Sequence, residues 1–428
     1  MKKSQTLLLA SFILVAGLAA CRNDAESPST SPQTGTTTAA VTANAAALVF
    51  RQVSAGGSHT CGVTTGDRAY CWGDNSRGQL GDGTTTRRLR PVAVVGGLRF
   101  KQLSAGSDDT CGTTTDNRLY CWGYDYLGEF GQDGATGLNP TPTRLPDTIA
   151  WRDVSLPTAR LDSLGEHTCA ITLDKLAYCW GDNGFGDLGI GPFHGGGVVQ
   201  TPFPVVGDHH FQQVTTGIDH TCGITLADQL FCWGLNFSGE LGVGARDPLP
   251  VEHNTPLRVK ASGLLFRQVS AGGDHYTDPI ENFNAPRGYT CAVTTEDTAY
   301  CWGDNKFGQL GDNGTHDLTI PHPVAGGHHF RQVSAGPLHA CAITTQNKAY
   351  CWGRNKFGDL GDGTDAFRQR HPVLVVGGLQ FSSVTAGDVH TCALTPSGAA
   401  YCWGNNQYGQ LGIGVTGTRT TPVPVRGP

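Results

Sequence analysis

Residues 61–71 read Cys-Gly-Val-Thr-Thr-Gly-Asp-Arg-Ala-Tyr-Cys, and variants of this stretch recur along most of the chain. Fourteen of the fifteen cysteines form seven pairs whose partners are ten positions apart. The pairs are Cys61 with Cys71, Cys111 with Cys121, Cys169 with Cys179, Cys222 with Cys232, Cys291 with Cys301, Cys341 with Cys351 and Cys392 with Cys402. Chance does not produce so regular a spacing, so the sequence predicts one structural unit repeated seven times.

The stretch between paired cysteines is typical of a β-hairpin. Short runs rich in Val, Thr and Tyr flank a Gly-Asp turn signal, and nothing in the unit indicates a helix. Folding the chain about Gly66 sets Cys61 opposite Cys71. Opposed residues on antiparallel strands have Cβ atoms about 4.5–5.5 Å apart, close to what a disulfide needs. We therefore expect one disulfide in each hairpin, and zinc is disfavoured because its ligand pairs usually lie about two to four residues apart.

Each hairpin belongs to a longer unit with four predicted strands. The unit opens on an aromatic residue and Val-Ser-Ala, passes through the hairpin and Trp-Gly, and ends on Gly-x-Leu-Gly and Pro-Val. Alternation places Cys61, Val63 and Ala69 on one face of the sheet, and Tyr70 and Trp72 on the other. Seven such sheets arranged radially make an all-β, seven-bladed propeller, which leaves only short edges. The repeats lie near residues 50–99, 100–150, 151–210, 211–265, 266–329, 330–380 and 381–428.

The N-terminus has the pattern of an export signal. Lys2 and Lys3 precede an apolar run, and Leu18-Ala19-Ala20-Cys21 follows it. This pattern resembles the lipobox of bacterial lipoproteins, in which the cysteine is lipidated, so residues 1–20 are predicted to be a signal peptide and Cys21 the lipidation site. The alternative is an ordinary signal that leaves Cys21 as an odd thiol. Residues 21–49, poor in large apolar side chains, are predicted to be a flexible Ser/Thr/Ala/Pro tether.

These features predict a location in the bacterial cell envelope. By resemblance to lipoprotein sorting, Arg22 after the cysteine favours the outer membrane, on either its periplasmic or its surface side. Export also explains the cysteines, because disulfides persist in oxidising compartments. Beyond the signal no apolar stretch approaches the length of about 20 residues that a spanning helix needs, so membrane contact is expected through the lipid alone.

Composition narrows the class of partner. The chain has 30 basic and 36 acidic residues, a formal net charge of −6, and no long basic stripe. A nucleic-acid partner is therefore not expected. The run Arg87-Arg88-Leu89-Arg90 is most simply a solvated loop.

The repeated unit resembles a known family. The stretches Val-Ser-Ala-Gly-Gly-Ser-His-Thr (53–60) and Ala-Tyr-Cys-Trp-Gly-Asp-Asn-Ser-Arg-Gly-Gln-Leu-Gly-Asp-Gly-Thr (69–84) are similar to the regulator of chromosome condensation repeat. The resemblance covers residues 50–428 and implies a seven-bladed propeller with about fifty residues per repeat. The founder of the family is a nucleotide-exchange factor for a small nuclear GTPase. An exported lipoprotein would not meet that partner, so no small GTPase is expected, and the paired cysteines depart from the founder's pattern.

Repeated polar residues invite a metal or catalytic interpretation. The position two before the first cysteine of each hairpin is His59, Asp109, His167, His220, Tyr289, His339 or His390. Members of a ring face different blades, so they are expected to hydrogen-bond to local backbone and not to share a metal. The Asp-Gly-Thr turns at 82–84 and 362–364 have fewer ligands than the six to eight oxygens typical of calcium. We find no catalytic motif, so neither a catalytic residue nor a cofactor is assigned.

Unequal loops indicate where recognition would occur. Insertions fall after the first strand in repeats 3 and 5, and after Gly-x-Leu-Gly in repeats 2, 3 and 4 (Gln132–Pro146, Gly191–Pro204 and Val243–Pro256). Antiparallel connectivity puts all of these on one face. We predict that the chain is a non-catalytic binding or scaffolding module for a protein or surface polymer. Neutral drift is the alternative explanation of the insertions. The candidate contacts are Tyr124, Tyr126, Phe193, His194, His275, Tyr276, Phe283 and Tyr289. The alternative is a propeller enzyme acting on glycan or peptide, which would need acidic or His side chains converging in the central channel.

Overall fold

The computed structural model describes residues 48–428 except 133, 135–136, 147, 160–165, 193–196, 248–250 and 279–282. For residues 276–278 and 283–285 it describes the backbone alone. The predicted signal peptide, the predicted lipidation site Cys21 and nearly all of the predicted tether lie outside the described residues.

Seven four-stranded antiparallel sheets form the predicted propeller, and in each sheet the strands follow one another in chain order. Blades 1 to 4 consist of β1 (Phe50–Ala55), β2 (His59–Thr64), β3 (Ala69–Gly73) and β4 (Arg88–Ala93); β5 (Phe100–Ala105), β6 (Asp109–Thr114), β7 (Leu119–Asp125) and β8 (Gly137–Arg144); β9 (Trp151–Ser155), β10 (His167–Thr172), β11 (Ala177–Gly181) and β12 (Val199–Pro204); β13 (Phe211–Thr216), β14 (His220–Thr225), β15 (Leu230–Gly234) and β16 (His253–Arg258).

Blades 5 to 7 follow the same plan. They consist of β17 (Phe266–Asp278), β18 (Phe283–Thr294), β19 (Ala299–Gly303) and β20 (Leu318–Pro323); β21 (Phe330–Ala335), β22 (His339–Thr344), β23 (Ala349–Arg354) and β24 (Arg368–Leu374); β25 (Ser383–Ala386), β26 (His390–Leu394), β27 (Ala400–Gly404) and β28 (Arg419–Pro424). In the part of the chain that the structure describes, no helix is long and apolar enough to span a bilayer.

The predicted hairpin register and all seven disulfides are confirmed. Cys61 is bonded to Cys71 across β2 and β3, with Cα atoms 4.1 Å apart. The same arrangement joins Cys111 to Cys121, Cys169 to Cys179, Cys222 to Cys232, Cys291 to Cys301, Cys341 to Cys351 and Cys392 to Cys402. Every bridge is buried. Ten residues separate the partners, so each bridge closes a short loop of the unfolded chain and is worth about 2–3 kcal/mol.

The apolar core lies between blades, as the alternation predicted. Cys61, Val63 and Ala69 of blade 1 pack against Phe100 and Trp122 of blade 2. On the other face of blade 1, Tyr70 and Trp72 contact blade 7. All eight tryptophans are fully buried. Each disulfide therefore forms part of the wall against which the next blade packs.

Side-chain hydrogen bonds also join the blades around the central channel. The Gln52 amide accepts from the backbone N–H of Leu103 and donates to the Leu103 carbonyl, which ties blade 1 to blade 2. Gln102, Gln213, Gln268 and Gln332 bridge the following blades in the same way. Asp153 and Ser383 occupy this position in blades 3 and 7. At all seven seams a Ser or Thr hydroxyl also accepts a backbone N–H of the next blade. The seams from blade 3 to 4 and from blade 7 to 1 have this bond, to Ser155 and Thr385, without the glutamine pair.

Prolines protect the outer edge of the propeller. The fourth strand of a blade is its exposed edge, and all seven of these strands contain proline. The residues are Pro91, Pro140 and Pro142, Pro202 and Pro204, Pro256, Pro321 and Pro323, Pro372, and Pro422 and Pro424. Proline cannot donate a ladder hydrogen bond, so these edges resist pairing with another chain. The Arg87–Arg90 run was predicted to be a loop, but Arg88–Ala93 is the edge strand β4, and Arg88 pairs with Asp82 at 2.7 Å.

Candidate functional site

The propeller has two faces of different character. We call loop face the side formed by the segments that join the first strand to the second and the third to the fourth in each blade. We call turn face the side formed by the hairpin turns and the links between blades. Antiparallel connectivity assigns every segment to one face or the other, as the sequence predicted.

A long hairpin in blade 5 is the largest departure from the repeat. Strands β17 and β18 have 13 and 12 residues, whereas the first two strands of blade 6 have six each. The pairing continues from Ala271↔Thr290 outward to Asp278↔Phe283. What the sequence predicted as a loop insertion is therefore mostly a paired two-stranded extension on the loop face.

The base of this extension is fixed by charged contacts. His275 lies 2.8 Å from Asp219 of blade 4, and the Asp219 side chain is buried. Burial lowers the pKa of His275, but the hydrogen bond and the charge of Asp219 outweigh it and raise that pKa above its usual value. Arg287, also buried, lies 3.8 Å from Asp304 and 3.7 Å from Asp317. The hairpin is thus held between blades 4 and 5 before its tip begins.

A second cluster is formed by residues of blades 1, 2 and 3. The rings of Tyr124 and Tyr126, both half-buried, are 4.3 Å apart, and the Arg77 guanidinium lies 4.6 Å from the Tyr124 ring centre. Burial raises the pKa of the Tyr126 hydroxyl, and the carboxylates of Asp108 and Glu166 raise it further. Aromatic rings, a guanidinium and carboxylates therefore share one part of the loop face.

Carboxyl groups replace amides at one repeated position of this face. The x of Gly-x-Leu-Gly is Gln79, Gln309 and Gln410 in blades 1, 5 and 7, but Glu129, Asp187, Glu240 and Asp359 in the others. Glutamine and glutamate have the same local role at this position. Gln79 accepts from the Arg77 N–H at 2.9 Å, and Glu129 accepts from the Leu127 N–H at 2.9 Å. Burial raises the pKa of all four carboxyls, that of Asp359 to about 8.

The ring of histidines has a structural role that the sequence predicted only in part. His59, His220, His339 and His390 are buried, and burial lowers their pKa values to about 4, 3, 3 and 3. They were expected to bond to local backbone, and this is wrong. His59 Nε2 lies 2.9 Å from the hydroxyl of Thr110 in the next blade. The Thr110 hydroxyl donates to the Gln79 carbonyl, so the histidine donates its Nε2–H to the threonine.

The same bonds close the ring. His390 of blade 7 reaches Thr60 of blade 1 at 2.8 Å, and the Gln410 carbonyl accepts from both Thr60 and the Trp72 indole. These histidines are therefore committed to the seams between blades. Among the described residues, no group of three or more His, Cys, Asp or Glu side chains is placed to hold a metal ion. The Asp-Gly-Thr turns bond internally, for example from the Thr84 N–H to Asp82 at 3.0 Å.

The central channel is lined mainly by the residues that join one blade to the next. Its volume is about 460 Å³, and its described walls are mostly the Gln, Val, Ser and Thr residues of the first strands. Asp153 is its acidic member and pairs with Arg152 at 2.5 Å. The enzyme alternative requires converging acids or histidines, and these wall residues do not provide them.

The predicted contact residues have different locations. Tyr124, Tyr126 and His275 are partly exposed on the loop face. Tyr289 is fully buried, and its hydroxyl lies within hydrogen-bond distance of the carbonyls of Gly336 (2.8 Å) and His339 (2.7 Å) in blade 6, so its prediction as a surface contact is wrong. Phe193 and His194 lie outside the described residues. Tyr276 and Phe283 are in the paired backbone of the hairpin, opposite Ala285 and Asp278, with side chains outside the described part.

One predicted insertion is not an insertion. The stretch Gln132–Pro146 of repeat 2 was expected to be a long loop, but much of it is the edge strand β8. Strand β7 continues to Asp125 and pairs with β8 at Tyr124↔Leu138 and Asp125↔Gly137. The third segment of blade 2 is then only residues 126–136, shorter than residues 74–87 in blade 1. Repeats 3 and 4 keep their long segments, 182–198 and 235–252.

Sequence reasoning missed a set of aromatic residues on the loop face. Half-buried rings lie one or two residues before the first glycine of Gly-x-Leu-Gly in five blades, and these are Phe185, Phe237, Phe307, Phe357 and Tyr408. Their partial exposure could have been suspected from the position, because a residue beside a tight glycine turn has little core to enter.

Comparison with known proteins agrees with this architecture. The family model described as the regulator of chromosome condensation (RCC1) repeat matches residues 50–79, 100–132, 165–187, 211–240, 266–309, 330–359 and 381–410. A second model of the same repeat matches residues 67–112, 227–277, 296–343, 346–394 and 397–428. The chain belongs to the RCC1-repeat family. Its regularly paired cysteines are disulfide-bonded in every one of the seven blades.

Relatives of this RCC1-repeat chain differ in how much of their length the match covers. It is 29% identical to the ultraviolet-B receptor UVR8 of Arabidopsis thaliana over 383 residues, spanning 88% of this chain and 70% of the receptor. It is 27% identical to the human E3 ubiquitin-protein ligase HERC2 over 274 residues, spanning 61% of this chain but only 5% of that protein.

Solved structures share the fold. Human WBSCR16 has a TM-score of 0.70 with 20% identity, covering 84% of this chain and 94% of that one. Yeast RCC1 (Prp20), solved bound to Kap60, has a TM-score of 0.68 with 20% identity, covering 83% of each chain.

Proposed function

We propose that this RCC1-repeat chain is an exported, lipid-anchored protein that binds another protein through its loop face, without catalysis. In this proposal Cys21 carries the lipid, residues 22–49 are the tether, and the propeller stands in the cell envelope, attached to the outer membrane. Seven buried disulfides support export, because such bonds persist in oxidising compartments.

The observation that carries the binding function is the concentration of departures from the repeat on one face. The paired extension of blade 5 and the long segments 182–198 and 235–252 all belong to the loop face. Tyr124, Tyr126 and His275 lie on the same face, partly exposed. Variable segments with aromatic residues on a rigid framework are typical of binding surfaces.

Two grafts test the assignment of the face. In the first, residues 272–288 are replaced by Gly-Gly-Ser, the segment 56–58 that joins the same strands in blade 1. In the second, the turn-face link 259–265 is replaced by Val-Val-Gly-Gly-Leu-Arg, the link 94–99 after blade 1. Each variant borrows a segment that this fold already accommodates, so both are expected to melt as one cooperative unit.

Capture of partners from envelope extract compares the grafts with the unmodified chain. We expect proteins retained by the unmodified chain to be retained by the turn-face graft and lost by the loop-face graft. Loss with the turn-face graft alone would refute the assignment. The anchor is tested separately: Cys21→Ser should abolish incorporation of labelled fatty acid and release the chain from membranes, and unchanged labelling would refute lipidation.

A further inference from the structure

The two faces differ in charge as well as in shape. Among the loop-face residues whose side chains the structure describes, counting the blade 5 hairpin from residue 272 to 288, nineteen are Asp or Glu and six are Arg or Lys. In the described turn-face segments there are seven of each. The overall charge of −6 is therefore unevenly distributed, because the loop face is strongly acidic and the turn face has equal numbers of acidic and basic residues.

Protonation does not remove the asymmetry. Burial raises the pKa of seven of the nineteen carboxyls, which are Glu129, Glu166, Asp187, Asp219, Glu240, Asp274 and Asp359. Setting all seven aside leaves twelve acidic side chains against six basic ones on the loop face. An excess of this size attracts cations from a distance of about a Debye length.

Three of the six basic side chains on the loop face lie over aromatic rings. The Arg77 guanidinium is 4.6 Å from the ring centre of Tyr124, and that of Arg287 is 5.7 Å from the ring centre of Phe237. Lys356 lies 5.3 Å from the ring centre of Phe357. Exposed aromatic faces beside carboxylates are favourable places for ammonium and guanidinium groups.

Some buried carboxylate oxygens at this face have no hydrogen-bond donor. Glu166 is 4% exposed, and its Oε1 has no partner among the described residues. The same holds for Oδ2 of Asp125 and Oε1 of Glu240, whose side chains are buried. Glu166 and Asp125 belong to the cluster beside Tyr126, where neighbouring carboxylates raise the Glu166 pKa further than burial alone. Buried polar atoms are usually paired, so these oxygens are unsatisfied among the described residues.

We infer that the loop face binds a basic protein surface, whose Arg and Lys side chains lie between the half-buried aromatic rings and the carboxylates. The inference rests on the proposed function and adds the chemical class of the partner. Charge complementarity of this kind governs the association rate and the choice of partner more than the buried area does. An anionic surface polymer is disfavoured, because the loop face would repel it.

Two charge-matched triple variants test the inference on the full chain in detergent solution. The loop-face variant is Asp108→Asn, Glu252→Gln and Asp365→Asn, and the turn-face variant is Asp174→Asn, Asp208→Asn and Glu296→Gln. All six side chains are at least partly exposed, and both variants change the net charge by the same amount. The probe is a ten-residue arginine peptide, with a ten-residue glutamate peptide as control, and binding is measured by titration calorimetry.

We expect the arginine peptide to bind, with affinity falling at least about tenfold between low and moderate salt, since exposed charges are screened over this range. The loop-face variant should weaken binding about fivefold or more, and the turn-face variant less than about twofold. Equal losses in the two variants, no binding of the arginine peptide, or comparable binding of the glutamate peptide would overturn the inference. If face-dependent capture yields a partner with an acidic surface, the inference fails while the proposed function stands.

Discussion

The loop face and the turn face are built from the same seven repeats, yet the segments of the loop face vary much more in length than those of the turn face. Every hairpin turn of the turn face places one residue in the left-handed region, and these residues are Asp67, Asn117, Lys175, Asp228, Asp297, Asn347 and Gly398. In each turn that residue donates its N–H to a threonine carbonyl, as Asp67 does to Thr64 at 2.9 Å. Seven copies of one hydrogen-bonded turn leave no room for insertion.

The loop face can vary because its segments are fixed at the base. An asparagine after Trp-Gly accepts from the leucine N–H of Gly-x-Leu-Gly, as Asn75 does from Leu80 at 3.0 Å. Asn183, Asn236, Asn305, Asn355 and Asn406 repeat the bond. Once this base is closed, the rest of the segment costs little to lengthen, because loop-closure entropy grows slowly with length. The faces differ because the repeated hydrogen bond spans the whole turn on the turn face, whereas on the loop face it closes only the base of each segment.

The largest expected effect on stability comes from removing a disulfide. The disulfides lie in the strands between the loop face and the turn face. Replacing Cys61 and Cys71 by alanine should lower the free energy of unfolding by about 2–3 kcal/mol, since the bridge constrains a short loop of the unfolded chain. Urea unfolding measures the loss. The matched pair Cys392 and Cys402 should lose the same amount, because its separation of 10 residues is the same. A loss well below about 1 kcal/mol in both would contradict this account.

The next largest effect on stability is expected at the loop-face end of a seam between blades, and a variant at the turn-face end provides the comparison. Thr60→Val removes the hydroxyl that bonds His390 and the Gln410 carbonyl, so it should destabilise by about 1–3 kcal/mol because the histidine is left buried and unpaired. At the turn-face end, Arg51 donates to the carbonyls of Phe100 and Lys101 from a partly exposed position. Arg51→Gln should cost no more than about 1 kcal/mol. Thermal melting of the two variants ranks them, and the reverse order would be evidence against the seam as described.

A pH-dependent effect is specific to the loop face. Burial raises the Glu129 pKa in the folded protein, so its contribution to stability is full below its unfolded pKa and is lost as pH rises through the folded one. Glu129→Gln should therefore stabilise the protein by about 1 kcal/mol at about pH 8 and by less at about pH 5. Melting temperatures across this range provide the measurement. The reciprocal variant Gln79→Glu should do the opposite, and a pH-independent change in either would count against burial as the cause.

The smallest effect belongs to the turn face. Lys175 has φ 69°, a conformation that glycine adopts at no cost, as Gly398 does at the equivalent turn. Lys175→Gly should gain about 0.5 kcal/mol in unfolding free energy and leave partner binding unchanged. Gly398→Lys should lose more than this, because a β-carbon at Gly398 would lie only 2.7 Å from the Phe50 carbonyl oxygen. A change in capture by either variant would show that the turn face also takes part in recognition.

Much of the framework could be predicted from residue order, because it depends on local pairing. The spacing of Cys61 and Cys71 defines the hairpin register, and alternation correctly separates Val63 from Tyr70. The candidate site was harder to predict. Tyr124 and Tyr126 lie on the loop face as predicted, but Tyr289 occupies the position of a seam histidine and is buried against blade 6. Its repeat position was the better guide, and its place next to an insertion misled.

Other errors came from contacts between blades. His59 was expected to bond locally, yet its partner Thr110 is 51 residues away, in a neighbour that sequence periodicity does not position. The segment after Tyr126 was expected to be a long loop, but Gly137 and Leu138 instead extend an edge strand. Whether a residue pairs with an adjacent strand depends on the length and twist of both strands. No single segment contains that information.

By itself, the order of amino acids determined seven disulfide-stapled hairpins and their assembly into blades, because register and alternation act over a few residues. Only the tertiary structure decided which side chains meet across seams, which carboxyls are buried, and how charge divides between the two faces. Those properties depend on neighbours about fifty residues distant, brought together only when the ring closes.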